Sequence, residues 1–127
     1  MPSRQTFDAF IALVEQGKFI EAIEGYYTAD ATMQENQNPP RRGRDTLIEH
    51  ERQVMATFPA SSSNKAERAL IDGDLAVVNW VFKGTAANGE VLAVDELALQ
   101  RWSGDRIVAE QFYYDPAQLD ALMKQGR

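Results

Sequence analysis

Cysteine is absent from the chain, and histidine occurs once, at position 50. The first absence removes a disulfide framework, a thiol nucleophile and every cysteine-containing metal site. A single histidine rules out an HExxH pair, and no EF-hand loop is present, so metal catalysis is disfavoured. No apolar run approaches the ~20 residues that span a bilayer. The N-terminus MPSRQTFDAF lacks the apolar h-region of a signal peptide, and a cytoplasmic protein with no membrane partner is expected. Basic residues are scarce: 13 Lys and Arg stand against 19 Asp and Glu, a net charge of -6 that repels nucleic-acid phosphates and anionic lipid. The one basic run, RRGR at 41–44, is short and reads as a solvated turn at a helix entrance. No GxGxxG, Walker loop or nucleophile elbow occurs, so no cofactor is implied and serine hydrolase chemistry has no support.

With 127 residues, 44% of them hydrophobic and 25% charged, the chain is long and apolar enough for one globular domain, 1–127, with its own core. Phe7, Phe10, Ile11 and Val14 recur at helical spacing, and Gly17 supplies a stop. Ile20, Ile23 and Tyr27 repeat the pattern in KFIEAIEGYY, which predicts a second helix and an αα-hairpin. A short strand is expected over ATMQE, ended by Pro39 and Pro40. A third helix should start near Arg44 to Thr46, with Thr46 and Glu49 as a capping box, and run to about Phe58. Its buried face would hold Leu47, His50 or Glu51, Val54 and Phe58, and PASSSN would be a loop.

From Lys65 the apolar period changes to two, with turns at Asp72-Gly73-Asp74, Asn88-Gly89 and Ser103-Gly104-Asp105. Strands over about 65–72, 75–86, 91–102 and 106–114 follow as an antiparallel meander, with Ala76, Val78, Trp80 and Phe82 on one apolar face. Asp115-Pro116 opens a C-terminal helix, with Asp115 as N-cap and Gln118 in the capping-box position. Helices first and a curved meander second make an α+β domain.

Two segments, YYTADATMQENQNPPRRGRDTL and LQRWSGDRIVAEQFYYDPAQL, resemble the NTF2-like superfamily, specifically its SnoaL-like and ketosteroid-isomerase-like members. The resemblance covers nearly the whole chain. It implies a cone in which helices and a strongly bent, mostly antiparallel sheet enclose an apolar pocket for a small apolar or carbonyl-containing ligand. It also implies a homodimer through the outer sheet face, where Asp95, Leu97 and Leu99 would lie. Activities in the superfamily range from isomerases, cyclases, dehydratases and hydrolases to non-catalytic binders, so fold alone assigns none.

The resemblance places the proton-shuttling carboxylate of isomerase-like members on Glu35. Burial disfavours the charged form of such a group and raises its pKa toward the range of acid-base work, as in the ketosteroid isomerase example of pKa tuning. The two donors that stabilise the enolate in that enzyme correspond here to Phe10 and Ala98, so a typical ketosteroid isomerase is not expected. His50, on the inner face of the third helix, is the candidate partner or orienter of Glu35. The strand phase set by the resemblance points Leu92, Val94, Glu96, Ala98, Gln100 and Trp102 inward, and likewise Glu110, Phe112 and Tyr114. Glu35, His50, Glu96, Gln100 and Glu110 would form a polar cluster, with Trp80, Trp102, Phe112 and Tyr114 as wall and Tyr27 reaching in from the second helix. The rival expectation is a non-catalytic ligand-binding or protein-interaction module using the same cavity or sheet face.

Overall fold

The computed structural model describes residues 1–57, 62–85 and 88–124. Helix α1 spans Arg4–Glu15 and buries Phe7, Phe10 and Val14. It begins where the Ser3 hydroxyl accepts the Thr6 N–H at 3.1 Å. It ends at Gly17, whose positive φ of 78° lets its own N–H reach the Val14 carbonyl and that of Lys18 reach Leu13, both at 2.9 Å. Helix α2, Phe19–Tyr26, follows at once and buries Ala22 and Ile23.

Strand β1 is longer than the expected ATMQE. It runs Tyr27–Glu35, so Tyr27 opens a strand rather than closing a helix. The RRGR run is not merely a solvated turn: Arg41–Arg42 form a two-residue strand, β2, antiparallel to Thr32 and Met33. Helix α3 spans Arg44–Thr57 and buries Leu47 and Ile48. Its entrance differs from the expected capping box, since no Thr46–Glu49 bond forms among the described residues. The carbonyl of Gly43, held at φ 100°, takes the Leu47 N–H at 2.9 Å, and the helix begins at Arg44, within the expected start. Phe58 lies outside the described residues.

Strand β3, Ser62–Asp72, absorbs the Ser62 to Asn64 part of the expected PASSSN loop because those residues pair with Phe82 to Gly84 of β4, Leu75–Thr85. Strands β5, Val91–Ser103, and β6, Arg106–Tyr113, complete the meander. Helix α4, Pro116–Lys124, is capped by the Asp115 carboxylate, which accepts the Ala117 N–H at 2.9 Å. The Gln118 side chain does not return to the Asp115 N–H as a capping box would. Its Oε1 accepts the Asp95 N–H at 3.1 Å and ties α4 to β5.

The strands form one six-stranded sheet in the order β2-β1-β6-β5-β4-β3. Every neighbouring pair is antiparallel except β1 and β6, which run parallel. Register shifts between Ala66 and Arg68 and between Arg101 and Trp102 bend the strands, and the sheet is curved and unclosed. On the concave face Ala76, Val78, Ala98, Trp102 and Ile107 pack against Phe7, Phe10, Ile23 and Leu47. Phe7 and Phe10 both meet Trp102 edge-on, at 6.1 and 5.8 Å between centroids, and burial of each such ring contributes roughly 1.5–3 kcal/mol. On the convex face Leu97 and Leu99 stay 47% and 37% exposed, as the strand phase predicts. No helix among the described residues is long and apolar enough to cross a membrane.

Candidate acid-base cavity

Between the helices and the bend of the sheet lies a cavity of about 330 Å³. Phe10 and Val14 of α1, Phe19 and Ile23 of α2, Trp80 and Phe82 of β4, and Leu119 and Met123 of α4 give it apolar walls. Its polar lining is Tyr27, Glu35, Arg41, His50, Glu51, Glu96, Glu110 and Tyr114. Arg41 and His50 also line a shallow outer depression with Asp45, Thr46, Glu49 and Gln53, so these two side chains stand at the threshold.

Glu35 is the last residue of β1, and the residue after it explains its placement. Asn36 adopts φ 50°, a left-handed conformation that asparagine tolerates. Its N–H donates to the Phe112 carbonyl at 2.7 Å, and its side-chain oxygen accepts the Tyr114 N–H at 3.1 Å. This clasp fixes the end of β1 against the end of β6 and brings Glu35 to Tyr114. The Tyr114 hydroxyl donates to Glu35 Oε1 at 3.0 Å, and Arg41 Nη1 donates to Oε2 at 2.9 Å in an ion pair. Both carboxylate oxygens therefore have a partner. The Tyr114 phenol is pushed well above its ordinary value by burial, then by the charge and hydrogen bond of Glu35.

His50 lines the cavity, yet among the described residues no hydrogen bond joins it to Glu35. The orienting groups are Arg41 and Tyr114, neither of which was expected in that role. Arg41 reaches Glu35 because β2 pairs it opposite Met33, two residues from Glu35, a consequence of the proline loop folding back. Burial and then the Arg41 charge lower the His50 pKa, against an opposing pull from Glu35, so the imidazole is neutral at pH 7.

Glu110 sits deeper, only 3% exposed. Tyr27 Oη donates to its Oε1, and Gln100 Nε2 donates to its Oε2 at 2.7 Å. Gln100 is in turn oriented by Trp102, whose Nε1 donates to Gln100 Oε1 at 3.1 Å. Gln100 and Trp102 thus do not line the cavity. Inward strand phase buries both side chains, but the packing of α1 over that end of the sheet covers them, so they support Glu110 from behind. Burial raises the Glu110 pKa to about 7, with the bonds from Tyr27 and Gln100 working against the shift.

Glu51 and Glu96 face the same space. Glu51 is raised to about 7 by burial and then by the charges of Glu110 and Glu35. Glu96 is raised to about 8 by burial and then by Glu110, Glu35 and Glu51. Sequence reasoning left Glu51 unassigned because adjacent helix positions compete for one face; α3 turns out to present both His50 and Glu51 to the cavity. Trp80, Glu96, Glu110, Phe112 and Tyr114 line it as the strand phase implies, and Tyr27 lines it from the start of β1 rather than from the second helix.

No curated protein sequence matches the chain. Solved structures match its fold at low identity. A candidate SnoaL-like polyketide cyclase from Jannaschia is 14% identical with a TM-score of 0.77, covering 94% of this chain and 91% of that one. An NTF2-like protein from Burkholderia pseudomallei is 18% identical, also with a TM-score of 0.77, over 94% and 95% of the two chains. A protein of ketosteroid isomerase-like fold from Catenulispora acidiphila, solved with trimethylamine, is 20% identical with a TM-score of 0.75, over 96% and 94%. The family profile of the SnoaL-like domain matches residues 7–110. With that match across most of the sequence, and with helices folded over a curved, unclosed sheet, the chain belongs to the SnoaL-like domain family.

Proposed function

We propose that the cavity binds a modest-sized apolar ligand bearing a carbonyl, and that Glu35 moves a proton beside that carbonyl without a cofactor. The supporting observation is the Glu35 carboxylate at the rim of an apolar cavity, fixed through both oxygens by Tyr114 and Arg41. A base held in one geometry loses little entropy on reaction. Glu51, on the facing helix, is raised to about 7 and so exists in both protonation states near neutral pH, which suits a group that returns a proton. The reaction class is isomerisation, cyclisation, dehydration or hydrolysis, as in a polyketide-cyclase-like protein. Phe10 and Ala98 supply no enolate donor, and Ala98 is buried outside the cavity lining, which sets the site apart from a typical ketosteroid isomerase.

The test uses 2-tetralone, a ketone with an acidic α C–H, incubated in deuterium oxide and followed by proton NMR. Catalysed deuteration that disappears in Glu35→Gln while ketone binding persists supports the reading. Unchanged exchange in that variant removes Glu35 as the base, and binding without exchange in the wild type favours the non-catalytic ligand-binding module. The exposed Leu97 and Leu99 support self-association through the convex sheet face.

A further inference from the structure

The acid-base reading uses Glu35 and Glu51 and leaves one corner of the cavity unexplained. Glu96 and Trp80 are direct cross-strand partners, and both face inward. Trp80 stacks with Phe82 at 6.1 Å and 21°, and Phe82 meets Phe19 edge-on at 6.3 Å. Among the described residues no hydrogen bond or ion pair reaches the Glu96 carboxyl, which is half-buried and lines the cavity; Asn79 Nδ2 donates to its backbone carbonyl at 3.1 Å. A carboxyl that faces a cavity beside aromatic rings, with no protein partner of its own, is free to pair with a ligand.

We propose that the corner formed by Glu96, Trp80 and Phe82 binds a cationic nitrogen, so that the ligand of this cavity is an apolar molecule carrying an ammonium group. Ring faces attract a cation electrostatically and hold a neutral group less well. The charged groups facing the corner favour the same sign: Glu51 from α3 and Glu110 from β6 are acidic, and Glu35 from β1 is paired with Arg41. The one cation of the lining, Arg41, lies at the rim and is neutralised by Glu35 at 2.9 Å. His50 is neutral, and Tyr27 and Tyr114 have phenols raised by burial, so neither adds a charge near pH 7. In the empty cavity a proton on Glu96 meets the electrostatic demand. An arriving ammonium displaces that proton to solvent, and the carboxylate pairs with the cation.

This proposal deepens the acid-base reading by naming the ligand class, but its test requires no turnover. Phenyltrimethylammonium chloride and its neutral isostere tert-butylbenzene are titrated into the protein with tryptophan fluorescence as readout, with benzoate as the anionic control, at constant ionic strength. At pH 8.5 the ammonium should bind at least about tenfold more tightly than the isostere. The ratio should shrink by pH 6 as Glu51, Glu96 and Glu110 take up protons, and calorimetry in two buffers near pH 7.5 should detect proton release on binding. Glu96→Gln should bring the ratio close to one and leave isostere affinity unchanged; Glu51→Gln gives a second, smaller reduction. Glu35→Gln leaves Glu96 and Trp80 in place but frees the Arg41 cation at the rim, so ammonium binding should weaken yet stay tighter than that of the isostere, even where deuteration of 2-tetralone is lost. Equal affinity of ammonium and isostere at pH 8.5, tighter binding of benzoate, absence of ammonium binding at millimolar concentration, or an unchanged ratio in Glu96→Gln would each overturn the assignment.

Discussion

Replacing Glu110 by glutamine should reshape the dependence of stability on pH. In the folded protein burial raises this carboxyl from an ordinary value of 4.5 to about 7. A carboxyl whose folded pKa is raised binds its proton more tightly in the folded state. Its contribution to stability is therefore fully present below about pH 4.5 and is lost as pH rises through 7. At about 1.4 kcal/mol per pH unit, the displacement corresponds to about 3 kcal/mol for this group. Glu110 is only 3% exposed, so solvent screening reduces that figure little. Glu51 and Glu96 carry shifts of the same sign, to about 7 and about 8, and their mutual repulsion adds to the loss. His50 works on the other limb. Its lowered folded pKa makes stability fall as pH drops through the imidazole range, so the wild-type curve alone does not isolate Glu110.

Comparison of the two proteins cancels the His50 contribution, common to both, and reports Glu110 together with its repulsion of Glu51 and Glu96. Urea unfolding at constant ionic strength, from pH 5 to pH 8.5, gives the free energy at each pH. The glutamine cannot ionise; its oxygen can still accept from Gln100 Nε2, which Trp102 holds in place, but its N–H₂ then faces Tyr27 Oη, and the buried hydroxyl loses the acceptor for its own proton. At pH 5 the variant should therefore be less stable than the wild type by about 1 kcal/mol. At pH 8.5 the order should reverse, with the variant losing about 3 kcal/mol less across the range than the wild type. Parallel curves for the two proteins would refute the assignment of a displaced proton to Glu110.

Three further outcomes follow from the same geometry. Glu35→Gln removes the charge that helps raise Tyr114, so the phenol that vanishes in Tyr114→Phe should titrate at lower pH in an ultraviolet titration. Arg41→Met removes a cation that lowers His50, and the single imidazole should titrate at higher pH by NMR, whereas Glu35→Gln should move it lower. Gly43→Ala forces a side chain into φ 100° at the entrance of α3, where the new methyl would meet only Thr46 Oγ1 at 3.6 Å; a cost of about 1–2 kcal/mol in urea unfolding is expected from backbone strain alone.

How far the sequence carried this structure can be judged position by position. The family resemblance set the inward phase of β5 and β6, and the structure keeps it, because a shift of one residue would expose Trp102 and bury Arg101. Caps and turns were legible where one residue decides the local backbone, as at Gly17 and Asp115. The Thr46 capping box failed because Gly43, three residues earlier, offers a competing start that only the pairing of β2 with β1 selects. The site divides along the same line. Glu35 came from the family resemblance, and Glu96 and Glu110 from the strand phase that it set; all three line the cavity. Arg41 was missed because its role depends on a two-residue strand whose only purpose visible in sequence was to follow two prolines. Glu51 was missed because the third helix turns 100° per residue, and whether 50, 51 or both face inward depends on how the helix is rolled against β1. Gln100 and Trp102 show the converse limit. Facing inward places a side chain on the concave side, but the helix laid over it decides whether that space is cavity or core, and here α1 closes over Trp102 through Phe7 and Phe10. Two residues read as ligand contacts are thus the anchored end of a hydrogen-bond chain from the core to the cavity, through which packing around Trp102 sets the orientation of Glu110.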